Sequence, residues 1–494
     1  MLNVERAGEA IARVRALGVR EFCVCAGSRN SPLLAVLGAS DARLFSFVDE
    51  RSAAFFALGR IKQHRRPVAV VTTSGTAVAE LLPATVEAFY SDAPLILMTA
   101  DRPARYRGTG APQCIDQEGI FGTFAATDPD AWNGTMPLHI NLEFDEPLID
   151  GKPIFVFGFS ILDSEPTRRP PNPKSKIQNP KFERPLLILA ALPPEDRERV
   201  REYALTLNAP VYAEALSGLR EDAALEHLHI KSGERMIHAG SFDGVIRIGG
   251  VPTLRFWRDL DESKRELPVV SFSNVRFTGL SRGDVHPLAA LPRPKASARD
   301  EEFFDRDAAI AAKIGRILDA EPDSEPAIFR ELSREVPPGS RIYLGNSLPI
   351  REWDLFASRD PRGFEYEGNR GANGIDGQLS TFLGWCANDR ENFAVAGDLT
   401  ALYDMNAPWI VPQLDAGTRF RIVVVNNGGG KIFSRVASLK SMDGDVRRRI
   451  VENQHSLRFG PWAAMWNLED QIIERIPDAE ATRRFWEQYD ALWS

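Results

Sequence analysis

Phe393-Ala-Val-Ala-Gly397-Asp398 and Arg419-Phe-Arg-Ile-Val-Val-Val425-Asn426-Asn427-Gly428-Gly429-Gly430 are the two pieces of one stretch, residues 393–433, whose reading decides the fold. Each begins as a short apolar run of strand length, and the segment from Leu399 to about Val411 reads as a helix between them. Strand, helix and strand make a βαβ unit, so the two strands are expected to be parallel with a right-handed crossover. Ligands in such sheets sit at the carboxyl ends of the strands, where Asp398 and Asn427 both fall, 29 positions apart. Both side chains offer oxygen, which Mg²⁺ takes together with substrate phosphates. The three glycines allow close backbone approach to an anion, and a helix starting after them would aim N–H groups at phosphate. The stretch therefore reads as a holder for a Mg²⁺-diphosphate. Taken singly, Asp398 reads better as a helix N-cap and Asn427-Gly428 as a turn; their occurrence together across one βαβ unit tips the reading to the metal.

Working outward, 494 residues suggest about three domains, and a 44% hydrophobic content supplies their cores. A net charge of −8 and an isoelectric point near 5.6 argue against general nucleic-acid binding. Cys23, Cys25, Cys114 and Cys386 are too few for a disulfide framework or a zinc site and read as reduced, buried thiols. No apolar run reaches the roughly 18 residues of a membrane span. Glu5, Arg6 and Glu9 are unlike a signal peptide. The expectation is a soluble, cytoplasmic protein with no membrane insertion.

Toward the N-terminus, strand–loop–helix units repeat. Strands are expected at Val19–Ala26, Leu44–Val48, Val68–Val71 and Leu95–Thr99. They are followed by the loops that carry Ser28, Glu50, Ser74 and Arg102, which should cluster at one sheet edge. A Pro-rich linker is read at 163–184. A second α/β segment comes next, with strands at 185–189, 211–213, 244–248 and 269–272. A soft boundary near 320–326 opens a third, with a helix at 328–335 and a strand at 341–344. The fold class is α/β, with three domains at 1–165, 185–320 and 326–494, each a mainly parallel sheet flanked by helices.

Gly-Asp, a spacer of this length and Asn-Asn together resemble the thiamine diphosphate motif, and three α/β domains are a trait of thiamine diphosphate enzymes. The common motif is Gly-Asp-Gly; here it is Gly397-Asp398-Leu399. Further segments narrow the resemblance. They are Gly27-Ser-Arg-Asn-Ser-Pro-Leu33, Phe47-Val-Asp-Glu-Arg51, Thr72-Thr-Ser-Gly-Thr-Ala-Val78, Thr99-Ala-Asp-Arg-Pro103, Gly345-Asn-Ser-Leu348, Asn369-Arg-Gly-Ala-Asn-Gly-Ile-Asp-Gly377 and Gly397-Asp-Leu-Thr-Ala-Leu-Tyr-Asp404. As a set they resemble the MenD branch, the 2-succinyl-5-enolpyruvyl-6-hydroxy-3-cyclohexene-1-carboxylate (SEPHCHC) synthases of menaquinone biosynthesis. The likeness runs from about residue 5 to 436 and is thin in the middle segment.

That resemblance implies a transferase that decarboxylates 2-oxoglutarate and adds the resulting carbanion to isochorismate. It implies thiamine diphosphate with Mg²⁺ or Mn²⁺ as cofactors, the metal held by Asp398, Asn427 and the carbonyl of Gly429. Glu50 would be the catalytic acid against the aminopyrimidine ring. Ser74, Ile375, Leu399, Thr400 and Ile432 would complete the cofactor site, with Ile375 packed beneath the bent cofactor. Ser28, Arg29, Arg102, Gln113, Ser347, Arg351, Arg370, Ile432 and Phe433 would meet the substrates, and Arg255 would reach in from the middle domain. Both substrates are dicarboxylates, which suits the planar fork of arginine. The first domain would bind the pyrimidine and the third the diphosphate. The site would form between copies in a dimer or a dimer of dimers.

Departures from the pattern fall at Pro112, Gly428 and Lys431, and the middle domain is short. Lys431 is left facing either the diphosphate or solvent. Two other readings stay open on residues alone. One is another 2-oxoacid decarboxylase or acetolactate-synthase-like enzyme using the same cofactor. The other is a non-catalytic protein of this fold kept for binding.

Overall fold

A computed structural model describes residues 2–151, 182–439 and 441–493. The Pro-rich linker read at 163–184 lies outside the described residues up to residue 181. Among the described residues three five-stranded sheets carry the fold, and every strand pair in them is parallel. Parallel strands buried on both faces read as continuous apolar runs, which is why β1 (Glu21–Cys25), β3 (Val68–Thr72), β4 (Leu95–Asp101) and β14 (Arg419–Val425) stand out in the sequence.

The first sheet has the order β2-β1-β3-β4-β5, with β2 at Arg43–Phe47 and β5 at Leu138–Glu143. The second has the order β10-β9-β8-β6-β7: β6 is Pro185–Leu189, β7 Val211–Ala213, β8 Gly244–Ile248, β9 Val269–Phe272 and β10 Val285–His286. The third has the order β12-β11-β13-β14-β15, where β11 is Arg341–Leu344, β12 Glu365–Glu367, β13 Glu391–Gly397 and β15 Ile472–Arg475. In the third sheet Gly397 stands opposite Val425, so Asp398 and Asn426-Asn427 leave the same edge together.

The described residues form two compact units. One takes in Met1–Pro170, Asn369–Asp389 and Leu402–Thr418; the other takes in Pro171–Gly368, Arg390–Ala401 and Arg419–Ser494. In the first unit, helix Glu50–His64 packs against helix Gln378–Trp385 at backbone-to-backbone distance. A Cβ on Gly59 would stand 2.1 Å from the Thr381 carbonyl oxygen, and one on Gly384 2.2 Å from that of Phe56. Only glycine fits either position. The Ser52 and Ser380 hydroxyls meet at 2.7 Å across the same contact. Ser380 N–H and Oγ both reach the buried Asp404 carboxylate, at 2.7 and 3.0 Å. In the second unit, the core of the middle sheet takes in Phe356, Phe485 and Tyr489 from outside that sheet's own segment.

Three expectations are corrected. The helix read from Leu399 to about Val411 ends at Tyr403, and Ala407–Gln413 is a tighter 3₁₀ segment. Pro408 and Pro412 lack the N–H that an α-helix needs at those positions. Strands β5, β10, β12 and β15 are not expected from the apolar pattern. β5 alternates polar His139 and Asn141 with apolar residues, and β10 and β12 are only two and three residues long. Cys114 is half-buried rather than buried, whereas Cys23, Cys25 and Cys386 are buried free thiols. Burial drives the Cys23 and Cys25 thiols well above their ordinary range, so both stay protonated. No helix among the described residues is long and apolar enough to cross a membrane.

Candidate active site

The carboxyl edge of the third sheet brings together side-chain and backbone oxygens. Asp398 is buried directly after β13. Its Oδ2 accepts N–H bonds from Gly428 at 2.8 Å and Gly429 at 2.9 Å, and its Oδ1 accepts from Leu399 at 2.6 Å. Burial raises the carboxyl above its ordinary range, while these N–H bonds and the nearby His455 act the other way. His455 Nε2 lies 3.4 Å from Oδ2 without making a hydrogen bond to it. Asn427 donates its Nδ2 to Glu325 Oε1 at 2.8 Å, and its buried Oδ1 has no partner. Gly429 takes φ +133°, and a Cβ there would stand 2.5 Å from the Glu452 carbonyl oxygen. Leu399 is half-buried and Thr400 buried in the short helix that Asp398 begins.

The glycine loop works differently from the anion cradle read in the sequence. Gly428 and Gly429 spend their N–H groups on Asp398, and Gly430 donates to the Glu452 carbonyl at 2.6 Å. The next segment, Lys431–Arg435, is a five-residue 3₁₀ turn and not an α-helix. A buried carboxylate at the strand end has taken the donors, because leaving it unpaired would be costly. Lys431 takes neither orientation left open for it, since Nζ pairs with the buried Glu452 carboxylate at 2.9 Å. On the same segment Ile432 is half-buried and Phe433 is 38% exposed.

Ser347 and Arg351 come to this same edge after β11, which is bonded to β13. Ser347 is held at φ +73°, an uncommon conformation for a side-chain-bearing residue. Its carbonyl accepts Arg351 Nη1 at 2.5 Å, within helix Leu348–Phe356 and its cap. The Arg351 charge is felt by the half-buried Glu234, whose carboxyl is pushed up by desolvation and pulled back by backbone N–H bonds from Arg255 and Phe256. The Arg255 guanidinium is engaged by Asp259 at 2.9 Å and by Glu262.

The first unit holds the other candidates: Ser28, Arg29, Glu50, Ser74 and Arg102 follow strand ends of its sheet, and the loop with Arg370 and Ile375 belongs to the same unit. Glu50 opens helix Glu50–His64, whose first turn is capped by Asp49 accepting from Ser52 N–H at 3.1 Å. Burial raises the Glu50 carboxyl, and the nearby Asp49 and Glu80 charges add to it. Ser28 is exposed. Arg29 is buried, donating to the Phe144 carbonyl at 3.0 Å with Glu146 at 3.4 Å. Arg102 Nε donates to the Pro112 carbonyl at 2.9 Å, and Gln113 comes next at φ +54°. Pro112 thus serves through its carbonyl and needs no N–H. Ser74 is buried beside Gly75, whose N–H is held by Gln117 Oε1 at 2.9 Å. The loop carrying Arg370 and the half-buried Ile375 is tied down by Glu87, whose carboxylate accepts from Gly371, Ala372 and Asn373 N–H at 2.7, 2.6 and 3.3 Å.

Residues 5–120 match the family model described as "Thiamine pyrophosphate enzyme, N-terminal TPP binding domain". Over the whole chain the sequence is 44% identical to the 2-succinyl-5-enolpyruvyl-6-hydroxy-3-cyclohexene-1-carboxylate synthase of Bdellovibrio bacteriovorus, covering 100% of both. It is 37% identical to the synthase of that name from Akkermansia muciniphila, over 94% of this chain and 95% of the relative. For that of Halorhodospira halophila the figures are 32%, 94% and 90%. The chain belongs to the SEPHCHC synthase family.

As a SEPHCHC synthase family member it is a thiamine pyrophosphate enzyme, with three parallel-sheet domains flanked by helices. The residues fit the metal that such a cofactor brings. Asp398 supplies a carboxylate, Asn427 an amide oxygen left without a hydrogen bond, and Gly429 a carbonyl that accepts a single N–H bond, from Lys431 at 2.9 Å. An all-oxygen set of this kind suits a hard divalent cation. Three buried polar residues that bond to the candidate loops escape the sequence reading: Glu87, Gln117 and Glu325. Glu325 could be read only as a helix-start residue in Ser324-Glu325-Pro326, because its burial is set by segments a hundred residues away.

Proposed function

We propose that this chain is a SEPHCHC synthase acting in menaquinone biosynthesis. It would decarboxylate 2-oxoglutarate and join the remaining four-carbon unit to isochorismate, giving SEPHCHC and CO₂. The observation that carries this reading is identity to synthases of that name along the whole chain. Bound thiamine diphosphate supplies the electron sink for the carbon that loses CO₂. Asp398, Asn427 and the Gly429 carbonyl hold Mg²⁺ or Mn²⁺ and, through it, the diphosphate. Glu50 holds a proton at the aminopyrimidine ring, and its raised affinity for that proton suits the role. Ser74, Leu399, Thr400, Ile375 and Ile432 enclose the cofactor. Arg29, Arg102, Arg351 and Arg370 pair with the substrate carboxylates, helped by Ser28, Gln113 and Ser347, with Phe433 and Ile432 as the apolar wall.

The domain roles we assign are pyrimidine binding for 1–165, a central domain for 185–320 and diphosphate binding for 326–494. The enzyme acts in the cytoplasm as a dimer or a dimer of dimers, with Glu50 and Asp398 of one site drawn from different copies. The test is a purified-enzyme assay with 2-oxoglutarate, isochorismate, thiamine diphosphate and Mg²⁺, omitting each in turn and following isochorismate loss and product mass. Product that needs all four is the expected result. CO₂ release indifferent to isochorismate would place the chain among the simple 2-oxoacid decarboxylases instead.

A further inference from the structure

Asn427 has two chemically different ends on one planar group, an acceptor oxygen and a donor nitrogen, and a half-turn about its last bond exchanges them. A cation can be ligated only by the oxygen. Something must therefore decide which end faces the metal and which faces the protein. Nδ2 is bonded to Glu325 Oε1 at 2.8 Å, and Oδ1 is buried with no hydrogen-bond partner. Glu325 is itself fixed in place. It is the first residue of helix Glu325–Glu335, capped by Ser324, and its N–H donates to Thr482 Oγ1 at 2.9 Å. It is 2% exposed. A carboxyl group in that setting is expensive for a merely structural position, and a carboxyl keeps an acceptor oxygen whether or not it carries a proton.

We infer that Glu325 is the positioning residue of the divalent-metal site: by accepting from Asn427 Nδ2 it selects the amide orientation that presents Oδ1 to the cation. The inference rests on the reading of Asp398, Asn427 and Gly429 as the metal ligands. Partners that orient a ligand from behind are worth about 10- to 100-fold in metal affinity when removed.

The test is calorimetric titration of Mg²⁺ into the full-length protein with thiamine diphosphate present, with thermal melts of the metal-free protein as a check on folding. Glu325→Leu should raise the half-saturating Mg²⁺ concentration about 10- to 100-fold. Glu325→Gln, which keeps an acceptor, should stay within about 3-fold of wild type. In the Asn427→Asp background either oxygen can meet the cation and Glu325 faces a second carboxyl group, so adding Glu325→Leu should leave Mg²⁺ affinity unchanged or raise it, and not lower it. Glu325→Ala runs beside Glu325→Leu and carries the same expectation if the latter fails to fold. An equal loss in both backgrounds, or none in either, would overturn the inference while leaving the metal site standing. Wild-type protein that takes up thiamine diphosphate without any need of Mg²⁺ would overturn the metal reading and this inference with it.

Discussion

At Gly429 the backbone takes φ +133°, and the space for a side chain is filled by the Glu452 carbonyl at 2.5 Å. Gly429→Ala should therefore destabilise the chain by about 1–3 kcal/mol, read as a lowered melting temperature. It should also weaken Mg²⁺-dependent cofactor uptake, because the 428–430 loop must shift. Arg351 belongs to the same scale. Its guanidinium has a protein partner in the Ser347 carbonyl, on the helix that follows β11, the strand paired with β13. A hydrogen bond to a charged substrate group is worth about 1.5–3 kcal/mol, so Arg351→Ala should raise the apparent KM for one of the two substrates at least roughly tenfold. An unchanged KM for both would take Arg351 out of the substrate site. Single residues are also where the sequence was most and least informative. Asp398 and Asn427 were legible because a strand end fixes where a following residue lies. Glu325, Glu87 and Gln117 were not, since each is a polar residue buried by chain far away in sequence, and no local pattern records that.

At the level of elements, the short Asp398–Tyr403 helix hands the chain to Asp404, which is buried and bonded to Ser380. Burial lifts the Asp404 carboxyl from its ordinary 3.8 to about 6, against the pull of the Ser380 N–H and Arg51. Between those two pH values the native state keeps a proton that the unfolded chain has released. This group therefore costs stability as pH rises through the window, and the cost is complete above about 6. Asp404→Asn cannot titrate. Its unfolding free energy, measured by denaturant titration from pH 4 to 6, should lose a negative slope of up to about 1.4 kcal/mol per pH unit relative to wild type. Parallel slopes for the two proteins would show that Asp404 does not titrate in the native state. The elements themselves were legible where they were long and apolar. The apolar spacing from Leu399 to Val411 suggests one helix, but Pro408 lacks the N–H that a continuous α-helix needs there. β10 and β12, of two and three residues, carry too little pattern to register at all.

For the whole molecule, the three-sheet architecture is foreshadowed by repeated strand–loop–helix units, but the grouping of segments into units is not. Sequence order alone gives no reason for Asn369–Asp389 and Leu402–Thr418 to join the N-terminal residues. Under the proposed function, Glu50 and Asp398 of one site come from different copies. Mixing Glu50→Gln with Asp398→Ala protein, each inactive alone, and exchanging subunits should then restore activity to about one quarter of wild-type sites, since about half the dimers are mixed and each holds one intact site. No recovery after verified exchange would mean that both residues act within one copy. The joining of late segments to the N-terminal unit also bears on how the chain is made. Some 313 residues separate His64 from Gln378. At about 5–20 residues per second, helix Glu50–His64 leaves the ribosome roughly 15 to 60 s before the helix that packs on Gly59 exists. During that interval the face that carries Gly59 lacks the helix that covers it. Protease protection of Glu50–His64 in ribosome-bound chains should therefore become complete only once synthesis has passed residue 389.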